Sequence, residues 1–262
     1  MKSIPEEYLD PTFGSSSFRR HIKMECSDTL VRGAVEDDCH AFSVEMQHDG
    51  KVVTAVSARW ERYPTTTCPG SIEVIKQMEG CPLSDDLVEV KRFTPSLEQC
   101  THIHDLCALM IIHSYRCLHG RVPASILYES QVTDPDPDTG IQSVTLSENG
   151  DEVLSWKMKD RTLIEPERFE GATPMRGFTV WAVRNLDKET LLSSFILQMA
   201  CFVSTSRIIN FKNMVGIQAQ QAGHPANACY ASREQRMPES FKVEHKRHFH
   251  DCPEQMLRFV DF

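Results

Sequence analysis

Residues 39–64, CHAFSVEMQHDGKVVTAVSARWERYP, switch between apolar and polar at every second position. Phe42, Val44 and Met46 alternate with Ser43, Glu45 and Gln47, and Val52, Val56, Ala58 and Trp60 repeat the pattern after Asp49-Gly50. Period-two alternation places one set of side chains on one sheet face, and Asp-Gly supplies a tight turn. The stretch predicts a β-hairpin with one buried face, and hence an antiparallel sheet.

Upstream, residues 1–17 read as an irregular lead-in, with Pro5, Pro11, Gly14 and Ser15 to Ser17. Strand structure is expected from Phe18. Downstream, Ser71 to Glu79 reads as a short helix closed by Gly80. Ser96, with Gln99 three residues on, has capping-box spacing for a long helix ending near His119-Gly120. Three strand-like runs follow: ASILYESQV, IQSVTLSEN and EVLSWKMKD. Met175 to Asn185 is amphipathic, and Asp187 caps a second long helix. Strands without regular βαβ alternation give an α+β class: an antiparallel sheet packed with two long helices. One domain is expected over residues 18–237, with a C-terminal extension over 238–262 whose HKRHFHDC run reads as an exposed basic end.

The 262 residues, 40% of them apolar, are enough for a sizeable core, and the net charge of −9 argues against a broad nucleic-acid-binding face. The start, MKSIPEEYLDPTFG, lacks the apolar core of a signal peptide, and no run has the uninterrupted apolar length of a membrane span. With reduced cysteines, a cytoplasmic location is the expectation. The apolar MLRFVDF end suggests a subunit contact and a homo-oligomer.

The first long helix, LEQCTHIHDLCALMIIHSYRCLHG over residues 97–120, is rich in histidine and cysteine. At about 100° per residue His102 and His104 point to opposite sides, and His102 and His113 stand ~16 Å apart along the axis. Neither pair can share a metal ion, and no CxxC pair or HExxH run supplies other ligands. No metal and no cofactor are expected. Asp105, three residues after His102, has the spacing to hold one imidazole nitrogen and leave the other as a general base. The plainer reading is a histidine filling a core edge.

Arg20 could enter a pocket to hold an anionic group, its neighbour Arg19 facing the other way on a strand. Tyr63 and Cys68 flank a polar loop, where Cys68 would have a lowered pKa if its sulfur met the following helix. Gln198 interrupts an apolar stripe, either lining a pocket or tying a loop carbonyl. Tyr230 could donate a proton, or could be a packed tyrosine with a wet hydroxyl.

The motifs FRRHI, YPTTTCPG and CTHIHDL, followed by MRGFTVWAVRNL, LLSSFILQMACFVSTSR and ACYASREQ, together resemble the bacterial family known as domain of unknown function 2889, over roughly residues 18–237. The resemblance singles out Arg20, Cys68, His102, Arg176, Gln198 and Tyr230, and implies an association with breakdown of aromatic compounds. The resulting expectation is a cofactor-independent lyase on a small lignin-derived aromatic, releasing formaldehyde from a hydroxymethyl group to leave a stilbene-type product. His102, Asp105 and Tyr230 would be its catalytic groups, and Arg20, Tyr63, Cys68, Arg176 and Gln198 its substrate contacts. The alternative is a non-catalytic small-ligand-binding module with a regulatory or assembly role. Neither reading involves a nucleic acid or a membrane.

Overall fold

The computed structural model describes residues 5–175, 177–244 and 246–262, so Arg176 lies outside the described residues. In chain order the strands are β1 (Ser17–Cys26), β2 (Leu30–Asp37), β3 (Ala41–His48), β4 (Val53–Arg62), β5 (Ser125–Thr133), β6 (Ile141–Glu148), β7 (Asp151–Lys159) and β8 (Thr162–Glu165). The helices are α1 (Ser71–Val74), α2 (Leu87–Arg92), α3 (Thr101–Leu118), α4 (Phe178–Asn185) and α5 (Lys188–Ser204). The strands form an eight-stranded antiparallel sheet in the order β4-β3-β2-β1-β5-β6-β7-β8, and α3 and α5 are the two long helices of an α+β fold.

The chain divides into two compact units. One contains residues up to His21, Leu127–Asn210 and Arg247–Met256; the other contains Ile22–Ile126, Phe211–Lys246 and Leu257–Phe262.

In the second unit, β3 and β4 pair in the register the alternation requires: Phe42 faces Trp60, Val44 faces Ala58 and Met46 faces Val56. Phe42, Val44 and Met46 are buried, while Glu45 and Gln47 are exposed. Asp49 closes the turn by accepting from the amides of Lys51 and Val52, both at 2.8 Å, and Gly50 takes the left-handed conformation (φ 87°). Helix α3 packs against β2 and β3. Its approach to β2 depends on Gly33: a Cβ there would lie 2.7 Å from Met110 Sδ and 3.2 Å from Leu106 Cδ1.

The start of α3 differs from the expectation. Ser96 opens only a single 3-10 turn, Ser96–Glu98, and α3 begins at Thr101 behind Cys100, which makes no side-chain cap. The capping box fails because Gln99 is extended and fully buried, its amide nitrogen donating to Gln77 Oε1 at 3.0 Å. Its carbonyl accepts from the Tyr230 amide at 2.8 Å, so the residue serves a tertiary contact.

In the first unit, β5, β6 and β7 follow the three strand-like runs, and β8 adds an edge. Helix α5 packs on β6 and β7 and is capped as expected, Asp187 accepting from the Thr190 amide at 2.9 Å. The segment Lys188–Ile208 is long and apolar enough to cross a membrane by length and composition, but 56% of its most apolar stretch is buried inside the protein. The irregular lead-in is pinned by a buried ion pair. Arg207 Nη2 donates to Asp134 Oδ2 at 2.9 Å, and the same carboxylate oxygen accepts from the amides of Gly14 and Ser16 at 3.0 and 3.1 Å.

Candidate functional site

The most concentrated chemistry in the second unit begins where β2 turns into β3. Glu36, Asp37 and Asp38 are three consecutive acids, all buried. Burying carboxylates is costly unless each finds donors. Asp37 Oδ1 accepts from the amides of Cys39 and His40, both at 2.8 Å, and from His40 Nδ1 at 3.0 Å. Glu36 accepts from Arg62 Nη1 at 2.9 Å and from the Leu257 amide. The Arg62 guanidinium also donates to the carbonyls of Asp37 and His40, so the last residue of β4 locks the turn.

This arrangement fixes a tautomer. A carboxylate only accepts, so His40 Nδ1 carries a hydrogen, and Nε2 is the ring nitrogen turned away from Asp37. A buried acid orienting an imidazole whose second nitrogen is basic is the physical requirement for a general base. The His40 ring lies 4.3 Å, centroid to centroid, from that of His102 in the first turn of α3. Trp60 stands 6.3 Å from His40, and Tyr63 meets Trp60 edge-on at 6.1 Å. His102 and Tyr63, both marked by the sequence, thus converge with His40 and Trp60.

Asp105 serves a different neighbour. Its carboxylate accepts from Lys91 on α2. Lys91 also donates to His104 Nδ1 at 3.0 Å, which leaves Nε2–H to donate to Thr94 Oγ1 at 2.9 Å. His104, fully buried on the far side of α3 from His102, is held well below the ordinary imidazole value, at about 4, mainly by burial and then by the Lys91 charge.

The YPTTTCPG loop brings up a second group. Cys68 Sγ lies 3.0 Å from Thr65 Oγ1, and burial pushes its thiol up to about 11, opposite to the lowered value that a helix terminus would give. Tyr230 packs its hydroxyl against the same loop: a Cβ built on Gly70 would lie 2.5 Å from it. The Arg236 guanidinium covers the Tyr230 ring at 3.7 Å. Beside it, Cys229 Sγ lies 3.7 Å from His224 Nε2. His224 is pushed down to about 4, first by burial and then by the Lys242 charge.

Two further expected contacts belong to the first unit. Arg20 is buried on β1, while Arg19 is half-buried, as strand alternation requires. Gln198 ties its own neighbourhood together, donating to the Met175 carbonyl at 3.3 Å and accepting from Thr179 Oγ1 at 3.1 Å.

The family model described as a protein of unknown function, DUF2889, matches residues 19–114. The match covers 96 of the chain's 262 residues. The DUF2889 segment holds the Asp37–His40 turn, His102 and the Tyr63–Cys68 loop, while Tyr230, His224 and Lys242 lie beyond it. No curated protein matches the chain.

Several of these groups escape a reading of the sequence. His40 sits inside the quoted hairpin, but the acids before it look like an ordinary solvated turn. Their burial follows from Arg62, more than twenty residues away. The available signal is the run EDDCH entering an otherwise apolar strand. Lys242 gives no local signal at all.

Proposed function

We propose that the chain is a cofactor-independent lyase acting by general acid–base chemistry on a small lignin-type aromatic. The observation that carries this reading is the buried Asp37–His40 pair packed at a tilt against His102 beside Trp60 and Tyr63. A carboxylate-oriented imidazole supplies the base, and aromatic rings suit an aryl substrate.

The reaction fitted to these groups is loss of a hydroxymethyl group as formaldehyde. An imidazole, His40 or His102, takes the hydroxyl proton. The oxygen lone pair forms the carbonyl of formaldehyde as the carbon–carbon bond breaks. The released electron pair forms the stilbene-type double bond and expels the oxygen substituent of the neighbouring carbon, which leaves as a phenoxide from a phenylcoumaran or, once protonated, as water from a diarylpropane. Tyr230 returns a proton to that oxygen. No electrons are gained or lost overall, so no redox cofactor is required. In this reading Asp37 takes the orienting role that sequence spacing suggested for Asp105.

The test is incubation with phenylcoumaran and diarylpropane substrates, with assay of released formaldehyde and of the stilbene product. Turnover by the wild type, lost in both H40Q and H102Q while the substrate still binds, supports the reading. Absence of formaldehyde across the panel overturns it, and binding without turnover in every form points to a ligand-binding module.

A further inference from the structure

Lys242 is buried, with 6% of its surface exposed, although an ammonium in that position ordinarily needs a carboxylate. Among the described residues no acid pairs with it. Its surroundings are instead thiols, an imidazole and an aromatic ring. Cys39, Cys68 and Cys229 are its electrostatic neighbours, Lys242 in turn acts on His224, and its Nζ stands 5.0 Å from the centre of the Phe211 ring.

The backbone around it is fixed. The Lys242 amide donates to the Ile217 carbonyl at 2.9 Å, and its own carbonyl accepts from the Gly216 amide at 3.0 Å. On the other side it bridges to Thr65, at the head of the Cys68 loop. The chain therefore positions this side chain from two directions and leaves its amine without a counter-charge. Burial lowers its proton affinity and so favours the neutral, nucleophilic amine.

We propose that Lys242 is a covalent site for aldehydes, which it captures as an imine with His224 carrying the proton. The Nζ lone pair attacks the carbonyl carbon, and His224 carries one amine proton to the carbonyl oxygen, which becomes a hydroxyl. His224 then carries the second amine proton to that hydroxyl, water leaves, and the nitrogen–carbon double bond forms. One aldehyde and one amine give one imine and one water. The Phe211 ring beside the amine favours an aromatic aldehyde. The inference does not rest on the lyase reading, since imine formation needs no turnover.

The experiment is reductive trapping. The full chain is incubated with 4-hydroxybenzaldehyde and sodium cyanoborohydride, then analysed by intact mass and peptide mapping. The expected result is one 4-hydroxybenzyl group per chain on the Lys242 peptide at early times, at least tenfold above any other lysine. K242A should lose that early label, and H224Q should reach the same end point about tenfold more slowly. A wild-type map in which surface lysines are labelled and Lys242 is not overturns the proposal, as does early labelling of K242A equal to wild type. If K242A fails to fold, the wild-type map decides alone. Failure of trapping leaves formaldehyde release to be judged by its own assay, and the converse holds.

Discussion

His40 and His102 lie with ring centroids 4.3 Å apart and planes inclined at 56°, although 61 positions separate them in the chain. His40 is held from behind by Asp37, so this pair joins a rigid imidazole on the sheet to one on a helix. The carboxylate is the part most open to a clean test. Asp37→Asn keeps the shape but replaces one acceptor oxygen with a donor, which opposes the Nδ1–H tautomer of His40. Formaldehyde release is expected to fall by roughly 10²-fold or more, with a stability loss of about 1–3 kcal/mol read by urea unfolding. Unchanged turnover in a folded D37N protein would remove His40 from the mechanism.

His104 predicts how stability depends on pH. Its folded value of about 4 lies below the ordinary 6.5, so between these limits the unfolded chain binds a proton that the folded chain refuses. The contribution is complete above about pH 6.5 and is lost as pH falls toward 4. From this group alone the loss is about 3 kcal/mol. Gln in its place can still accept from Lys91 and donate to Thr94, so H104Q should show a shallower fall in urea midpoint across that window. An identical slope would contradict the assignment.

The Arg207–Asp134 pair anchors the lead-in, and both partners are buried. Arg207→Ala leaves a buried carboxylate without its cation and is expected to cost about 3–5 kcal/mol in chemical denaturation. R207A combined with D134A should cost less than the sum of the two single changes, since the second removes the stranded charge. Strict additivity would show that the pair does not act as a unit.

Gly70 and Tyr230 make a steric prediction. Gly70→Ala puts a methyl group 2.5 Å from the tyrosine hydroxyl, an overpacking expected to cost about 1–3 kcal/mol. Adding Tyr230→Phe should recover part of that loss, because the closest clashing atom is gone. A G70A protein as stable as wild type, with unaltered turnover, would show that the hydroxyl moves freely and is not held for chemistry.

The hairpin of β3 and β4 was legible because its alternation and its Asp-Gly turn are local and agree with each other. Helix α5 was legible for the same reason, its cap lying three residues from the amide it serves. The start of α3 misled because Ser96 and Gln99 satisfy a local rule that tertiary contacts to Gln77 and Tyr230 override. Among the site residues, helical phase correctly separated His102 from His104. The Asp105 carboxylate also accepts from Lys91, which arrives from another helix and leaves no trace in the local spacing. Asp37, His40 and Lys242 are defined by neighbours up to two hundred residues distant, and a linear pattern carries no such information.

Gly33 ties these threads to a missing methyl group. Because nothing projects from β2 at that point, Met110 and Leu106 sink toward the strand and the whole helix is lowered with them. The spacing of the two imidazoles is thus governed from beneath, by an atom that is not there. A remote change in that seat would alter the depth of the helix and the reach of His102 together. Rate and robustness should then drift in step, whereas substitutions at the rings themselves would pull them apart.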